Sequence, residues 1–516
     1  MADSAARFAS GVAALERDDV DGAERIFRGI VADDPNAHRA WSALSSLMQR
    51  AGRNDAAVEF ARRAVDLERR NVEYLNALGV AYLQAGELSE AERTLRRALH
   101  LQPVFPKGLF NLGRVLERNA RLADAQRAYE RAYATGGRFP VLYVTLAQLY
   151  RRLGRLDLAI ALLDEGLQGP DQPALIPAMA DCIVETQGVE RAIEWLRQAQ
   201  LAHPTRADIK FKLGFFLLSA GQWREAWKYY SWRYLENDLE LDAKSLPDSL
   251  EGERVQLVGE QGLGDVLFFL RFLPQLSARG AVVDLSCEAK LAALLKGDPR
   301  FNEIIAAGET PHLASLYLYR LSVGDLPGLL GADTCPPAFH LASDPARRER
   351  CAHRLAALGA PPYLGLTWKA GTDTVRLDTL TPLSKQVPPA ALGEALRGWK
   401  GTLVSLQRNP SEADISAISA AARAPVHNLA ELNDDLCEIL ALLDVLDEYV
   451  TVSNTNVHLR AGLGRSARVL IPQPPEWRWM HRLGRSEWFP DFPVYREPVS
   501  RGWREPLAHL RADLLP

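Results

Sequence analysis

The chain has 516 residues, 47% of them hydrophobic and 24% charged, with a formal net charge of −4. That length suits about three domains, and the near-neutral charge argues against nucleic acid as a general partner. Five scattered cysteines (Cys182, Cys287, Cys335, Cys351 and Cys437) form no C-x-x-C pair, which fits a reducing compartment and gives no zinc or disulfide framework.

The opening M-A-D-S-A-A-R-F lacks the charged-then-apolar pattern of a signal peptide. No apolar run reaches the roughly 18 residues of a membrane span. A cytoplasmic protein without a transmembrane segment is expected.

A small residue recurs at Gly11, Ser45, Gly79 and Gly113, in steps of 34 positions. Ala23, Ala57, Ala91 and Ala125 keep the same period. Large side chains surround them: Trp41, Leu44 and Met48 in one repeat, Leu75, Leu78 and Tyr82 in the next, with Pro35 and Pro103 closing two units. Ala147 and Ala159 continue the register; Ala180 and Ala192, then Gly214 and Ala226, resume it after a slip of one residue. The pattern resembles the tetratricopeptide repeat, in which small residues sit where two helices touch; a large side chain at Gly79 or Ala91 would part the pair. About seven units fit between Ser4 and Leu239, an α-solenoid over residues 1–240. Such an array leaves a concave face free for a protein or peptide partner, or serves as a spacer or oligomerisation arm. The aromatic-rich end, from Trp223 to Tyr234, is expected to pack against the following domain rather than to bind a ligand.

An acidic, polar connector from Asp238 to Ser249 precedes an alternation of strand-like and helix-like runs. The strands are expected at Val255–Val258, Val282–Cys287, Tyr363–Trp368, Leu403–Gln407, Tyr449–Ser453 and Val469–Ile471. The helices are expected at Asp265–Leu276, Ala289–Leu295, Pro345–Leu358, Ser411–Ala422 and Asp434–Leu446. Alternation of this kind predicts parallel sheets covered by helices. A polar passage at Ala332–Ser343 divides them into a lobe over 250–340 and a second over 341–516, with a ligand cleft between the carboxyl ends of two sheets.

Four turns carry candidate chemistry. Glu260-Gln261-Gly262-Leu263-Gly264-Asp265 lies between a strand and a helix, where Gly262 and Gly264 admit a close ligand and helix N–H groups favour an anion. Asp265 there is either a helix cap or a general base. Lys369 ends the strand L-G-L-T-W-K and holds a diphosphate or is merely solvated; Arg376 follows in its loop. Gln407 and Arg408 mark a third edge. Ser453, Asn454, Thr455 and Asn456 form a polar turn before a helix bearing His458, with donors suited to a nucleotide diphosphate. Trp477 and Trp479, in P-Q-P-P-E-W-R-W-M, form a packed lid or a base-stacking surface.

Together, E-Q-G-L-G-D with its L-x-x-L-P helix, the Leu-Thr-Trp strand, S-L-Q, and H-L-x-A-G-L-G followed by P-E-W-R-W-M resemble bacterial tetratricopeptide-repeat glycosyltransferases. Their catalytic half looks like the heptosyltransferase-type GT-B fold, in a layout similar to O-linked N-acetylglucosamine transferases. The resemblance implies a tetratricopeptide-repeat (TPR) α-solenoid followed by a two-lobed, GT-B-like, Rossmann-type α/β region. It implies a hexosyl- or heptosyl-type inverting transferase without metal or resident cofactor, whose nucleotide-sugar donor is a substrate. Asp265 then deprotonates the acceptor, and His458 matches the histidine of D-[ST]-x-x-x-H. Gly262, Gly264, Lys369, Arg376, Gln407, Ser453, Asn454, Thr455 and Asn456 face the donor. In one departure the leading acid of that motif falls on Ser453. The repeats point to a protein acceptor, such as a surface or flagellar protein. The alternative is a catalytically degenerate scaffold. An oxidoreductase fits poorly, because E-Q-G-L-G-D lacks the G-x-G-x-x-G spacing.

Overall fold

The structure is a computed structural model that describes residues 2–169, 172–233, 246–309, 317–370, 385–472, 476–479, 485–498 and 502–515. The chain forms two compact units, Met1–Ala178 and Met179–Pro516. The division falls inside the helical array, not at residue 240, where the repeat period lapses.

The first unit contains α1 (Ala2–Glu16), α2 (Val20–Asp33), α3 (His38–Arg50), α4 (Asn54–Leu67), α5 (Val72–Ala85), α6 (Leu88–Leu101), α7 (Pro106–Arg118), α8 (Leu122–Ala134), α9 (Pro140–Arg152) and α10 (Leu156–Leu167). Each odd-numbered helix pairs with the next. On α6 the buried residues are Ala91, Thr94, Leu95 and Ala98, one stripe at helical spacing. Ala23, Ala57, Ala91, Ala125 and Ala159 are wholly buried. A Cβ on Gly79 would lie 2.6 Å from Leu95 Cγ, so the small residue is a packing requirement. Where the repeat carries Ser45 instead, its hydroxyl donates to the Ala57 carbonyl at 2.9 Å. Gly86 ends α5 at φ 82°, a left-handed cap that favours glycine.

Helix α11 (Ile176–Gln187) carries the chain into the second unit, followed by α12 (Val189–Ala202), α13 (Ala207–Ser219) and α14 (Trp223–Tyr230). A four-stranded sheet comes next: β1 (Arg254–Val258), β2 (Val282–Cys287), β3 (Glu303–Ala306) and β4 (Tyr319–Ser322), in the order β3-β2-β1-β4 and all parallel. Its helices are α15 (Leu263–Phe269), α16 (Leu273–Ser277), α17 (Ala289–Leu295) and α18 (Leu326–Leu329). The single helix expected over Asp265–Leu276 is broken by a 3-10 turn at Leu270–Phe272. Pro274, at the start of α16, has no N–H to give the Leu270 carbonyl.

After α19 (Pro345–Leu358), a second parallel sheet is built from β5 (Tyr363–Thr367) and from strands that follow a short antiparallel ribbon, β6 (Lys369–Ala370) with β7 (Lys385–Gln386). Helix α20 (Pro389–Ala395), β8 (Thr402–Ser405), α21 (Glu412–Ala422), β9 (Val426–Asn428), α22 (Leu436–Val445), β10 (Glu448–Val452), α23 (Thr455–Gly462), β11 (Arg468–Ile471), β12 (Val494–Arg496) and α24 (Arg504–Leu514) complete it, in the strand order β12-β11-β10-β5-β8-β9. Leu364, Leu366, Val450, Val452 and Leu470 are fully buried, as strands covered on both faces must be. Strand order reverses between β1 and β4 in the first sheet and between β5 and β10 in the second. At such switch points the connections leave in opposite directions and open a crevice beyond the carboxyl ends.

Candidate functional site

The two switch points carry the turns singled out in the sequence. Beyond β1, Gln261 takes the left-handed conformation at φ 62°, while Gly262 is extended at φ −100°. Asp265 sits in the first turn of α15 and accepts the Gly262 N–H at 3.3 Å, so it caps the helix from within. Its other oxygen takes a charge-assisted bond from Arg478 Nη2 at 2.6 Å. Burial pushes the carboxyl up, but the Arg478 guanidinium and the Gly262 amide bring it below its ordinary value.

Beyond β10, the Asn454 side chain caps α23 by accepting the Val457 N–H at 3.2 Å. Helix α23 packs on α15. Gly264 makes that possible: a Cβ there would lie 2.9 Å from His458 Cδ2 and 3.4 Å from Thr455 Cα. Its small size therefore serves the contact between the two helix starts. His458 is buried, its ring at right angles to Phe268 and close to Phe489. Burial, with Arg478 nearby, pushes its imidazole down to about 3, so the ring is neutral at physiological pH.

Segment 476–479 reaches across this contact. Arg478 is buried over the rings of Phe268 and Trp477, 4.5 and 4.6 Å from their centroids. Glu476 accepts the Ser453 hydroxyl at 3.2 Å and is ion-paired with Lys385, whose ammonium donates to the Ser453 carbonyl at 3.3 Å. Asp265, Arg478, Glu476 and Lys385 therefore alternate in charge from one switch point to the other, with Arg478 and Glu476 3.8 Å apart.

Other expected residues take different places. Gln407 accepts the N–H groups of Trp368 and Lys369 and donates to the carbonyls of Lys369 and Arg408, so its amide is spent on the backbone. It fixes the strand end bearing Lys369. Asn456 is buried against Asn433. Arg376, with Gly371 and Thr372, lies outside the described residues. Lys385, Glu476 and Arg478 were not singled out from the sequence, although an acid and a base beside Trp477 and Trp479 were the available signal.

The tryptophans are packed. Trp477 meets Trp227, Tyr230, Phe268 and Trp488, and Trp479 stacks on Phe489 at 4.7 Å. Trp227 also touches Phe269 and Phe272, so the aromatic end of the helical array buries itself against the first sheet's helices, as expected. Arg233 continues this join, donating to Asp325 at 2.6 Å, to Ser322 at 3.2 Å and to Glu260. Among the described residues buried Arg271 has no carboxylate partner: it donates to the carbonyls of Phe268, Pro336 and Trp488 at 3.0–3.3 Å. Burial pulls its guanidinium down to about 9.

The N-terminal helices are tetratricopeptide repeats: residues 48–107 and 110–173 match that family. The chain thus joins a TPR array to an α/β region of parallel sheets. Protein FlbA of Caulobacter vibrioides is 26% identical over 388 residues, or 69% of this chain, and the chain spans 63% of the length of that relative. Among solved structures, PilF of Pseudomonas aeruginosa is 21% identical, covering 40% of this chain and 94% of that chain at a TM-score of 0.34. A tetratricopeptide-repeat protein of Parabacteroides merdae is 15% identical, covering 46% and 96%, at a TM-score of 0.38. Among the described residues no helix is long and apolar enough to cross a membrane.

Proposed function

We propose that the chain is a cytoplasmic, GT-B-type glycosyltransferase that moves a sugar from a nucleotide-sugar donor to a hydroxyl of a protein held by the TPR array. The supporting observation is the approach of two helix starts, Gly264 against Thr455 and His458, at the switch points of two parallel sheets. In this reading the acceptor hydroxyl gives its proton to Asp265 while its oxygen bonds to the anomeric carbon. The bond from that carbon to the diphosphate oxygen breaks, and the configuration inverts. Arg478 holds Asp265 ionised and fixes its orientation, while lowering its basicity. Amides at the start of α23, with Lys369 and Lys385, receive the departing diphosphate. His458, being neutral, orients by hydrogen bonding rather than by charge. No D-x-D motif follows a catalytic strand in the sequence, and the scheme is written without a metal.

A second reading, the degenerate scaffold, is favoured by the charge alternation itself: Asp265, Arg478, Glu476 and Lys385 satisfy one another, and Ser453 stands where the family motif has an acid. Calorimetry with uridine, guanosine, adenosine and cytidine nucleotides and their sugar conjugates separates the two. Binding of one nucleotide, retained in Asp265→Ala while turnover is lost, is expected of the transferase. If none binds, the transferase falls and the scaffold stands.

A further inference from the structure

The end of the helical array reaches both segments that carry the charges of the crevice. Helices α13 and α14 belong to the second unit, with the sheets, rather than to the first. Trp227 and Tyr230 of α14 are buried, and Arg233 follows in a 3-10 turn, Ser231–Arg233. A join that served only to bury area would spend these side chains on apolar neighbours. Instead, their polar atoms go to the residues that shape the turn before Asp265.

Glu260 and Gln261 are those residues. Arg233 donates to the Glu260 carboxylate, and its bonds to Asp325 and Ser322 tie that carboxylate to the end of β4. Gly324 leaves room for this: a Cβ there would lie 2.4 Å from Glu260 Oε1 and 2.6 Å from Arg233 Nη2. Gln261 bonds through its side chain to the Tyr230 hydroxyl. Its backbone is left-handed at φ 62°, a conformation that such a residue holds only where its surroundings impose it. The residue that bends the turn is thus fastened directly by Tyr230, and through its neighbour by Arg233. Asp265 then follows in the first turn of α15.

The same wall faces the other segment. Tyr230 meets Trp477 edge-on at 6.0 Å and Trp227 meets it at 5.8 Å, while α13 lies against the turn at Trp477–Trp479. Arg478 is the next residue along. Burial pushes the Tyr230 hydroxyl up, and the charges of Arg478, Arg233 and Asp265 all reach it. One wall therefore backs both partners of the Asp265–Arg478 pair.

We infer that Trp227, Tyr230 and Arg233 are positioning residues of the site, setting the turn at 260–265 and the segment at 476–479 in register so that Asp265 meets Arg478. The last helical hairpin is then part of the site's frame rather than one more binding repeat. Its bearing on catalysis rests on the transferase reading, whereas the positioning itself does not.

Hydrogen exchange of the full chain, followed by mass spectrometry, tests this without a ligand. Tyr230→Phe loses the bond to Gln261 and keeps the ring. It should speed exchange at least about threefold in peptides spanning 261–266 and 476–479, and leave those spanning β5 and β10 unchanged. Arg233→Gln should have a larger effect on the same two segments. Arg233→Lys, which restores a cation beside Glu260, should recover part of the protection, a rescue not expected of a residue that merely fills space. Should Arg233→Gln not fold, Gln261→Ala removes the Tyr230 bond from the turn side and should match Tyr230→Phe. Tyr129→Phe, which deletes a buried hydroxyl bonded to Glu117 in the first unit, is the control and should change neither segment.

Unchanged exchange in Tyr230→Phe and Gln261→Ala overturns the inference. So does a change confined to one of the two segments, faster exchange spread evenly over both sheets, or the same response in Tyr129→Phe. Nucleotide calorimetry on the parent is a separate measurement. A chain that binds no nucleotide loses the transferase reading and keeps this one if exchange responds as stated.

Discussion

Asp265 and Arg478 are 213 residues apart in the chain and 2.6 Å apart in space. Their pair joins the turn after β1 to the segment after β11, and it links a carboxylate in the first turn of α15 to a guanidinium buried among aromatic rings.

Removing Arg478 from this half-buried pair leaves Asp265 without its closest counter-charge. Arg478→Met is expected to cost about 3 kcal/mol of stability in urea denaturation at neutral pH. It should also release the Asp265 carboxyl upward. Because the folded value is depressed, the pair stabilises the protein above the ordinary carboxylate range, and that contribution is lost as pH falls through the folded value. The variant should therefore show a shallower loss of stability between about pH 5 and 3 than the parent. An unchanged midpoint and slope would show that the pair contributes nothing.

His458 supplies a second acid-sensitive element with a different window. Its folded value of about 3 lies below the ordinary histidine value, so the unfolded chain takes up a proton that the folded protein refuses. Stability is complete above about pH 6.5 and declines on acidification toward the folded value. Between about pH 7.5 and 5 the loss is about 2 kcal/mol. His458→Gln should remove that part of the pH slope, read as the difference between urea midpoints at the two pH values. A slope identical to the parent's would disprove the assignment.

Gly264→Ala tests the contact between α15 and α23. The added methyl meets the His458 ring at 2.9 Å, and the ring is wedged by Phe268 and Phe489. A cost of about 1–3 kcal/mol is expected. His458→Ala in the same chain should recover part of it, so thermal melts of the two single variants and the double should be non-additive. Strict additivity would place the strain elsewhere.

Arg233 holds Glu260 and Asp325 together, all three side chains being less than 10% exposed. Arg233→Met should destabilise by about 3–5 kcal/mol, because two carboxylates remain buried without a cation. Glu260→Gln added to it should restore part of the loss, as judged by guanidinium denaturation. No recovery would mean that the guanidinium acts by packing against Tyr230, whose ring it covers at 4.6 Å, rather than by charge.

The repeat array was legible because its period is enforced by volume: the register of Gly79, which faces Leu95, holds only small residues such as Gly79, Ser45 and Ala147. The central strands were legible because the middles of Val255–Val258, Val282–Cys287 and Tyr363–Thr367 are buried and mostly apolar. Besides the short ribbon of β6 and β7, the strands that escaped notice, β3, β4, β9 and β12, are the four edges of the two parallel sheets. Edges are half wet, so Glu303, Arg320, His427 and Arg496 interrupt any apolar signal. The turn residues Asp265, Ser453 and Asn454 were legible from local chemistry. Their partners were not, since Lys385, Glu476 and Arg478 arrive from distant segments and local spacing carries no record of that.

Arg271 bonds three carbonyls from three stretches of chain, Phe268, Pro336 and Trp488. Such a rivet has a mechanical consequence. The first sheet's helix cannot swing away from the returning C-terminal segment without stranding a guanidinium and parting the edge-to-face contact of Phe268 with Trp488. Motion of this helix is therefore tied to repacking of Phe268 and Trp488 around the guanidinium, and the C-terminal return acts as a clasp on the first sheet's helix.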